Sequence, residues 1–131
     1  MIVGLHHVAI GVDDLDKALK FYTEGLGFEI VQEGYLENDS RANRVIGRDD
    51  IKAKMVMLKA PNAFVELGQY SHPAPTDTRS RPCDYGYPHI AFQVDDIQAE
   101  YDRLKTHGME FVGEVVHYGD SGAAIYGRDP C

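Results

Sequence analysis

His7-Val-Ala-Ile-Gly-Val-Asp-Asp14 and His89-Ile-Ala-Phe-Gln-Val-Asp-Asp96 decide how this chain is read, because they are one pattern written twice, 82 positions apart. The histidine, the alanine, a valine and the aspartate pair recur, with apolar residues between them. Both stretches alternate with the period of a strand. Val8, Ile10 and Val12 fall on one face, with His7, Ala9 and Gly11 on the other. Ile90, Phe92 and Val94 oppose His89, Ala91 and Gln93 in the same way. Asp13 or Asp14, and Asp95 or Asp96, then stand where a helix N-cap belongs, and a carboxylate suits the positive end of the helix dipole. Leu15, Ala18, Leu19 and Tyr22 make a helical stripe, as do Ile97, Tyr101 and Leu104. Gly25 and Gly108 are placed to end the two helices. After a one-residue shift, Phe21-Tyr-Thr-Glu-Gly25 aligns with Leu104-Lys-Thr-His-Gly108, and Phe28 with Phe111. Chance similarity between two strand-to-helix junctions is the alternative, and agreement in strand, cap, helix length and terminating glycine stands against it.

Working outward, the alternation predicts further strands at about 27–35, 53–60, 63–70, 109–118 and 122–127, with the second copy opening on a strand at 88–94. The polar stretch 36–51 reads as a long loop. Residues 71–87, bearing Pro73, Pro75 and Pro82 with Pro88 at the edge, read as a linker between an N-terminal module, 1–70, and a C-terminal module, 88–131. At 131 residues the chain is one domain, too short for two independent cores. Its 44% hydrophobic content still allows a substantial core. Thirteen basic against 21 acidic residues leave a net charge of −8, which argues against nucleic acid and anionic membrane surfaces as partners. No apolar run reaches the roughly 18 residues of a membrane span, and the N-terminus lacks the basic start of a signal peptide. The expectation is a soluble, cytoplasmic protein. Two cysteines, Cys83 and Cys131, are too few for a disulfide framework.

The candidate chemistry sits on one strand face. His7 and His89 occupy equivalent positions, each followed two residues later by a small alanine that leaves room beside the imidazole. A lone strand histidine is usually structural. Two related by an internal repeat approach a common axis, where one ion could take both nitrogens. Glu66 lies mid-strand in Asn62-Ala-Phe-Val-Glu-Leu-Gly68, between the inward-reading Val65 and Leu67. Burying that carboxylate is costly without a partner, and a metal ion removes the cost. An edge strand with Glu66 in water is the plainer alternative.

The run Leu5-His-His-Val-Ala-Ile-Gly-Val-Asp-Asp-Leu-Asp-Lys-Ala-Leu-Lys-Phe-Tyr-Thr-Glu-Gly-Leu-Gly-Phe28 resembles the opening of the vicinal oxygen chelate superfamily. That group includes glyoxalase I, methylmalonyl-CoA epimerase, extradiol dioxygenases and bleomycin- and fosfomycin-resistance proteins. Phe64-Val-Glu-Leu67, the second His-containing strand and Tyr126-Gly-Arg-Asp-Pro130 extend the resemblance over nearly the whole chain. It implies an α+β fold of paired βαβββ modules, with an open, cupped, mixed sheet around one divalent metal. His7, Glu66 and His89 match three metal-ligand positions, whereas His6 does not. Such a donor set suits Ni, Co, Zn, Mn or Fe. The fourth ligand of the pattern is a glutamate in a last strand. Pro61 corresponds to Pro130, so the partner of Glu66 is expected near position 135, past the end of the chain. Either the polypeptide is truncated or processed, or it supplies only three ligands, and truncation is the expectation.

A metal holding a substrate carbonyl stabilises an enolate, and a nearby carboxylate removes the α-proton. The resemblance therefore implies a glyoxalase-like lyase or epimerase-like isomerase, with Glu66 as ligand and base and a small-molecule substrate. A metal-free binding or resistance protein is the alternative. An extradiol dioxygenase is third, since those enzymes lack a carboxylate at the Glu66 position. The resemblance also implies a homodimer. Arg41, Asn43, Arg44 and Arg48 either hold an anionic substrate or are solvated. His72, His107 and His117 read as surface residues, Cys83 has no activating base nearby, Tyr85 and Tyr87 could flank a groove, and Met55 and Met57 read as core or cavity wall.

Overall fold

Five residues from His7 to Gly11 form β1, and the aspartate pair that follows turns the chain into a helix. The computed structural model describes all residues from 1 to 131 except Ser80 and Pro88. Asp14 is the cap: its side chain accepts from the Lys17 N–H and starts α1, Leu15–Lys20. Gln69 Oε1 accepts from the Leu15 N–H at 3.0 Å, which ties the helix start to the sheet. The helix continues as one π-helical turn, Phe21–Gly25. Then come β2 (Glu29–Glu37), α2 (Ser40–Ile46), β3 (Lys52–Lys59) and β4 (Phe64–His72). The sheet order is β1-β4-β3-β2, with β1 parallel to β4 and the other pairs antiparallel.

The apolar stripe read from the sequence buries as expected. Val12, Leu15, Ala18, Phe21, Tyr22, Val56, Leu58, Val65 and Leu67 form one cluster between α1 and the sheet, extended by Phe28 and by Leu104 from the second half. Each fully buried aliphatic side chain in it contributes about 1.5–3 kcal/mol. β4 is an inner strand, between β1 and β3: Val65 and Leu67 face this core while Phe64 and Glu66 face away.

The second half follows the same opening but not the same ladder. Asp96 caps α3 (Ile97–Thr106) through the Ala99 N–H, as Asp14 caps α1. Gly108, at φ +89°, supplies the left-handed turn after it. The strand expected at 88–94 does not appear as a strand over residues 89–94, and Pro88 lies outside the described residues. The reason lies in the pairing. β1 is held by β4, whereas among the described residues no strand pairs with residues 89–94. The strands expected at 109–118 and 122–127 are likewise reduced to four two-residue strands: β5 (Glu110–Phe111), β6 (Val116–His117), β7 (Ala123–Ala124) and β8 (Gly127–Arg128). They pair as β5-β8 and β6-β7.

Two further expectations are corrected. The polar stretch 36–51 contains α2, capped by Asp39 and ended by Gly47 at φ +72°. Gly25 is not a left-handed cap; Gly27, at φ +73°, makes that turn. A Cβ at Gly25 would stand 3.2 Å from both His107 Cβ and Phe21 Cδ2, so Gly25 lets the two helix ends approach. The halves are also joined by Tyr22, whose hydroxyl donates to Asp129 Oδ2 at 2.9 Å.

Candidate functional site

Parallel pairing of β1 with β4 places His7 beside Phe64 and Ala9 beside Glu66. Across β4, Met57 is the partner of Glu66 and Met55 that of Gly68. Residues paired in register share a sheet face, so His7, Ala9, Phe64, Glu66, Met55 and Met57 line the face opposite the core. The small Ala9 leaves the Glu66 carboxylate clear on one side. Met55 covers Gly68, its Sδ within 3.0 Å of where a Cβ would be, so the methionines are wall.

His7 Nε2 and Glu66 Oε1 approach to 4.0 Å, with the side chains 35% and 25% exposed. That is too long for a hydrogen bond. It is close to the separation two ligands of one ion can have. A first-row divalent ion binds imidazole nitrogen and carboxylate oxygen at about 2.0–2.2 Å. The two donors then stand about 3 Å apart at octahedral angles and about 3.4 Å apart at tetrahedral ones. A modest side-chain rotation closes the difference, so this nitrogen and oxygen pair fits a divalent ion.

The other nitrogen of His7 is engaged. His6 Nδ1 and His7 Nδ1 are 2.7 Å apart, and the His6 ring stacks on Phe64 with centroids 5.7 Å apart and planes 18° from parallel. Strict alternation would put His6 on the core face. It precedes β1, outside the ladder, and so is free to share the His7 face. The sequence reading gave His6 no role, and the one available signal was its adjacency to His7.

His89 is placed elsewhere. It is exposed and packs edge-on against Tyr126, centroids 5.1 Å apart. Among the described residues no three histidine, cysteine or acidic side chains gather as a metal site. The structure therefore joins His7 with Glu66 in one chain and leaves His89 apart from them.

The residues of the 36–51 stretch are occupied locally. Asn43 Oδ1 accepts from the Ile51 N–H and its Nδ2 donates to Asn38 Oδ1. Arg41 pairs with Asp39, whose carboxyl is held below its usual range first by the Ala42 N–H and then by Arg41. Arg44 and Arg48 donate to the carbonyls of Ser40 and Gly47. A cleft lined by Glu37, Asn38, Asp50, Lys52 and His72 opens at the opposite end of the sheet from His7. Its Glu37 and Lys52 pair at 2.7 Å. Cys83, Tyr85 and Tyr87 are exposed. No helix among the described residues is long and apolar enough to cross a membrane.

Comparison with known proteins bears on what this arrangement belongs to. The chain is 35% identical over 123 residues to YurT of Bacillus subtilis, covering 94% of this chain and 88% of that one. It is 31% identical to the 2-epi-5-epi-valiolone epimerase of an Actinomyces species, covering 86% and 63%. It is 32% identical to the ethylmalonyl-CoA/methylmalonyl-CoA epimerase of Cereibacter sphaeroides, covering 86% and 77%. Among solved structures, a glyoxalase family protein from Bacillus cereus superposes with a TM-score of 0.89 at 32% identity, covering 98% of this chain and 88% of its own. The family model Glyoxalase/Bleomycin resistance protein/Dioxygenase superfamily matches residues 4–131, and the α+β fold with its mixed sheet agrees with it. The chain belongs to that superfamily.

Proposed function

We propose that the protein is a divalent-metal-dependent enzyme of the glyoxalase and epimerase kind, acting on a small molecule with an acidic proton beside a carbonyl or thioester. The observation that carries this reading is the His7–Glu66 pair, two metal-competent donors 4.0 Å apart on the open sheet face. The two epimerase relatives support the proton-transfer chemistry. A bound divalent ion would draw density from the substrate carbonyl oxygen and so stabilise the charge left when the neighbouring proton departs. Glu66 takes that proton on its carboxylate, which stands between Ala9 and Met57 in the ladder. His7 holds its place through β1, and Met55 and Met57 form the apolar wall beside the pair. His89, apart from this pair within one chain, is supplied to the site by a second copy in a homodimer.

The test is metal content and proton exchange on the dimer. Purified protein supplemented separately with Ni, Co, Zn, Mn and Fe(II) is weighed for bound metal, and α-proton exchange of methylmalonyl-CoA is followed in D2O. One ion per site is expected, with exchange that falls about 10²- to 10⁴-fold in Glu66→Gln, the usual worth of a general base. Sub-stoichiometric metal under every supplement defeats this reading. It would favour a metal-free ligand-binding protein of the same fold.

A further inference from the structure

We propose that His6 is a positioning residue that fixes which nitrogen of His7 carries the proton, and thereby keeps His7 Nε2 available as a metal donor. This rests on the metal reading above and adds to it a residue outside the ligand set. The argument starts from the 2.7 Å contact between the two Nδ1 atoms. A hydrogen bond there needs one nitrogen protonated and the other bare, so the usual freedom of neutral histidine to exchange tautomers is removed. Two arrangements satisfy it. In one, His6 donates and His7 must carry its own proton on Nε2. In the other, His7 donates from Nδ1 and its Nε2 keeps a lone pair.

The distance to Glu66 chooses between them. An Nε2–H facing a carboxylate would close to about 2.7–2.9 Å, whereas the gap is 4.0 Å. That gap fits two lone-pair atoms held apart, with space for a cation between. His6 suits the acceptor role as well. Its ring is exposed, so an Nε2–H on it reaches water, while the stack on Phe64 fixes the ring plane. His7 is thus oriented by a neighbour in the manner of a metal-ligating histidine whose second nitrogen donates to an outer acceptor. Here the acceptor is the preceding residue in the chain, and Phe64, the register partner of His7, is its platform.

The experiment uses the metal-free protein at one fixed pH in the neutral range and long-range ¹H–¹⁵N NMR of the histidine rings. Wild type is expected to show His7 protonated at Nδ1 and bare at Nε2. His6→Phe keeps a ring on Phe64 and removes the acceptor; His7 should then lose its fixed tautomer, and Co(II) affinity by calorimetry should fall about 10- to 100-fold. His6→Asn restores an acceptor oxygen and should recover most of both. A wild-type His7 carrying its proton on Nε2 would overturn the proposal. So would a His6→Phe protein, folded by circular dichroism, with unchanged ring shifts and Co(II) affinity. Wild type that takes up no Co(II) would overturn the metal reading separately, because the ring shifts still judge the tautomer.

Discussion

Replacing Tyr22 with phenylalanine removes one oxygen atom, and its effect should change with pH in a way that isolates that atom. Tyr22 is 3% exposed, and its hydroxyl donates to Asp129 Oδ2 at 2.9 Å. A hydrogen bond to a charged acceptor contributes about 1.5–3 kcal/mol. Asp129 is half-buried and recovers some water in the variant, so the lower end, about 1.5 kcal/mol, applies at pH 7. Burial, followed by the charge and hydrogen bond of Asp129, raises the Tyr22 pKa far above its ordinary 10.0. A folded-state pKa above the unfolded one gives stability that is complete below about pH 10. It is lost as pH rises, because the unfolded chain ionises first. At pH 11 that loss is about 1.4 kcal/mol in wild type and absent in Tyr22→Phe. The deficit of the variant should therefore shrink from about 1.5 kcal/mol at pH 7 to near zero at pH 11. Urea unfolding followed by circular dichroism at pH 7, 9, 10 and 11 measures it. Groups remote from this pair cancel in the difference, and the Cys131 thiol, which burial and Asp129 push up to about 11, is present in both proteins. A deficit constant from pH 7 to 11 would refute the reasoning.

Two further outcomes follow from packing and from the loop. Gly25→Ala should destabilise by about 1 kcal/mol, since its Cβ meets His107 Cβ, an atom next to the backbone that cannot move away. Gly11→Ala, with open space around the new atom, should stay within about 0.5 kcal/mol of wild type, and thermal melting of the pair makes the comparison. Asn43→Ala loses the bonds to the Ile51 N–H and to Asn38 and should cost about 1–2 kcal/mol. Trypsin should then cut faster at Arg41, Arg44 and Arg48; unchanged cleavage would mean Asn43 does not hold that segment.

The first half was legible from alternation because each alternating run there has a neighbour to pair with. His7-Val-Ala-Ile-Gly11 and Phe64-Val-Glu-Leu-Gly68 found one another in register, and the same register put His7 near Glu66. Helix α2 was missed although Asp39 and Gly47 are ordinary cap residues, because a seven-residue helix without buried side chains leaves no apolar stripe to read. Residues 89–94 carry the same alternation as β1, yet periodicity states only what a segment would do beside a partner. The adjacency of the two imidazoles was hidden for a different reason: alternation holds inside a strand, and His6 lies one residue outside it.

The parallel β1–β4 pair has a kinetic consequence. Lys59 and Phe64, paired where β3 turns into β4, are close in sequence, so that hairpin closes a short loop. His7 and Phe64 are 57 positions apart, and bringing them together closes nearly half the chain. Loop-closure entropy rises with that separation. Among the described residues β1 is an edge strand, paired with β4 alone. When it detaches, Glu66 stays in the sheet and His7 leaves. The two donors therefore exist as a pair only while the longest-range contact of the sheet is made, and amide exchange along Val8–Gly11 would count the fraction of molecules in which they do.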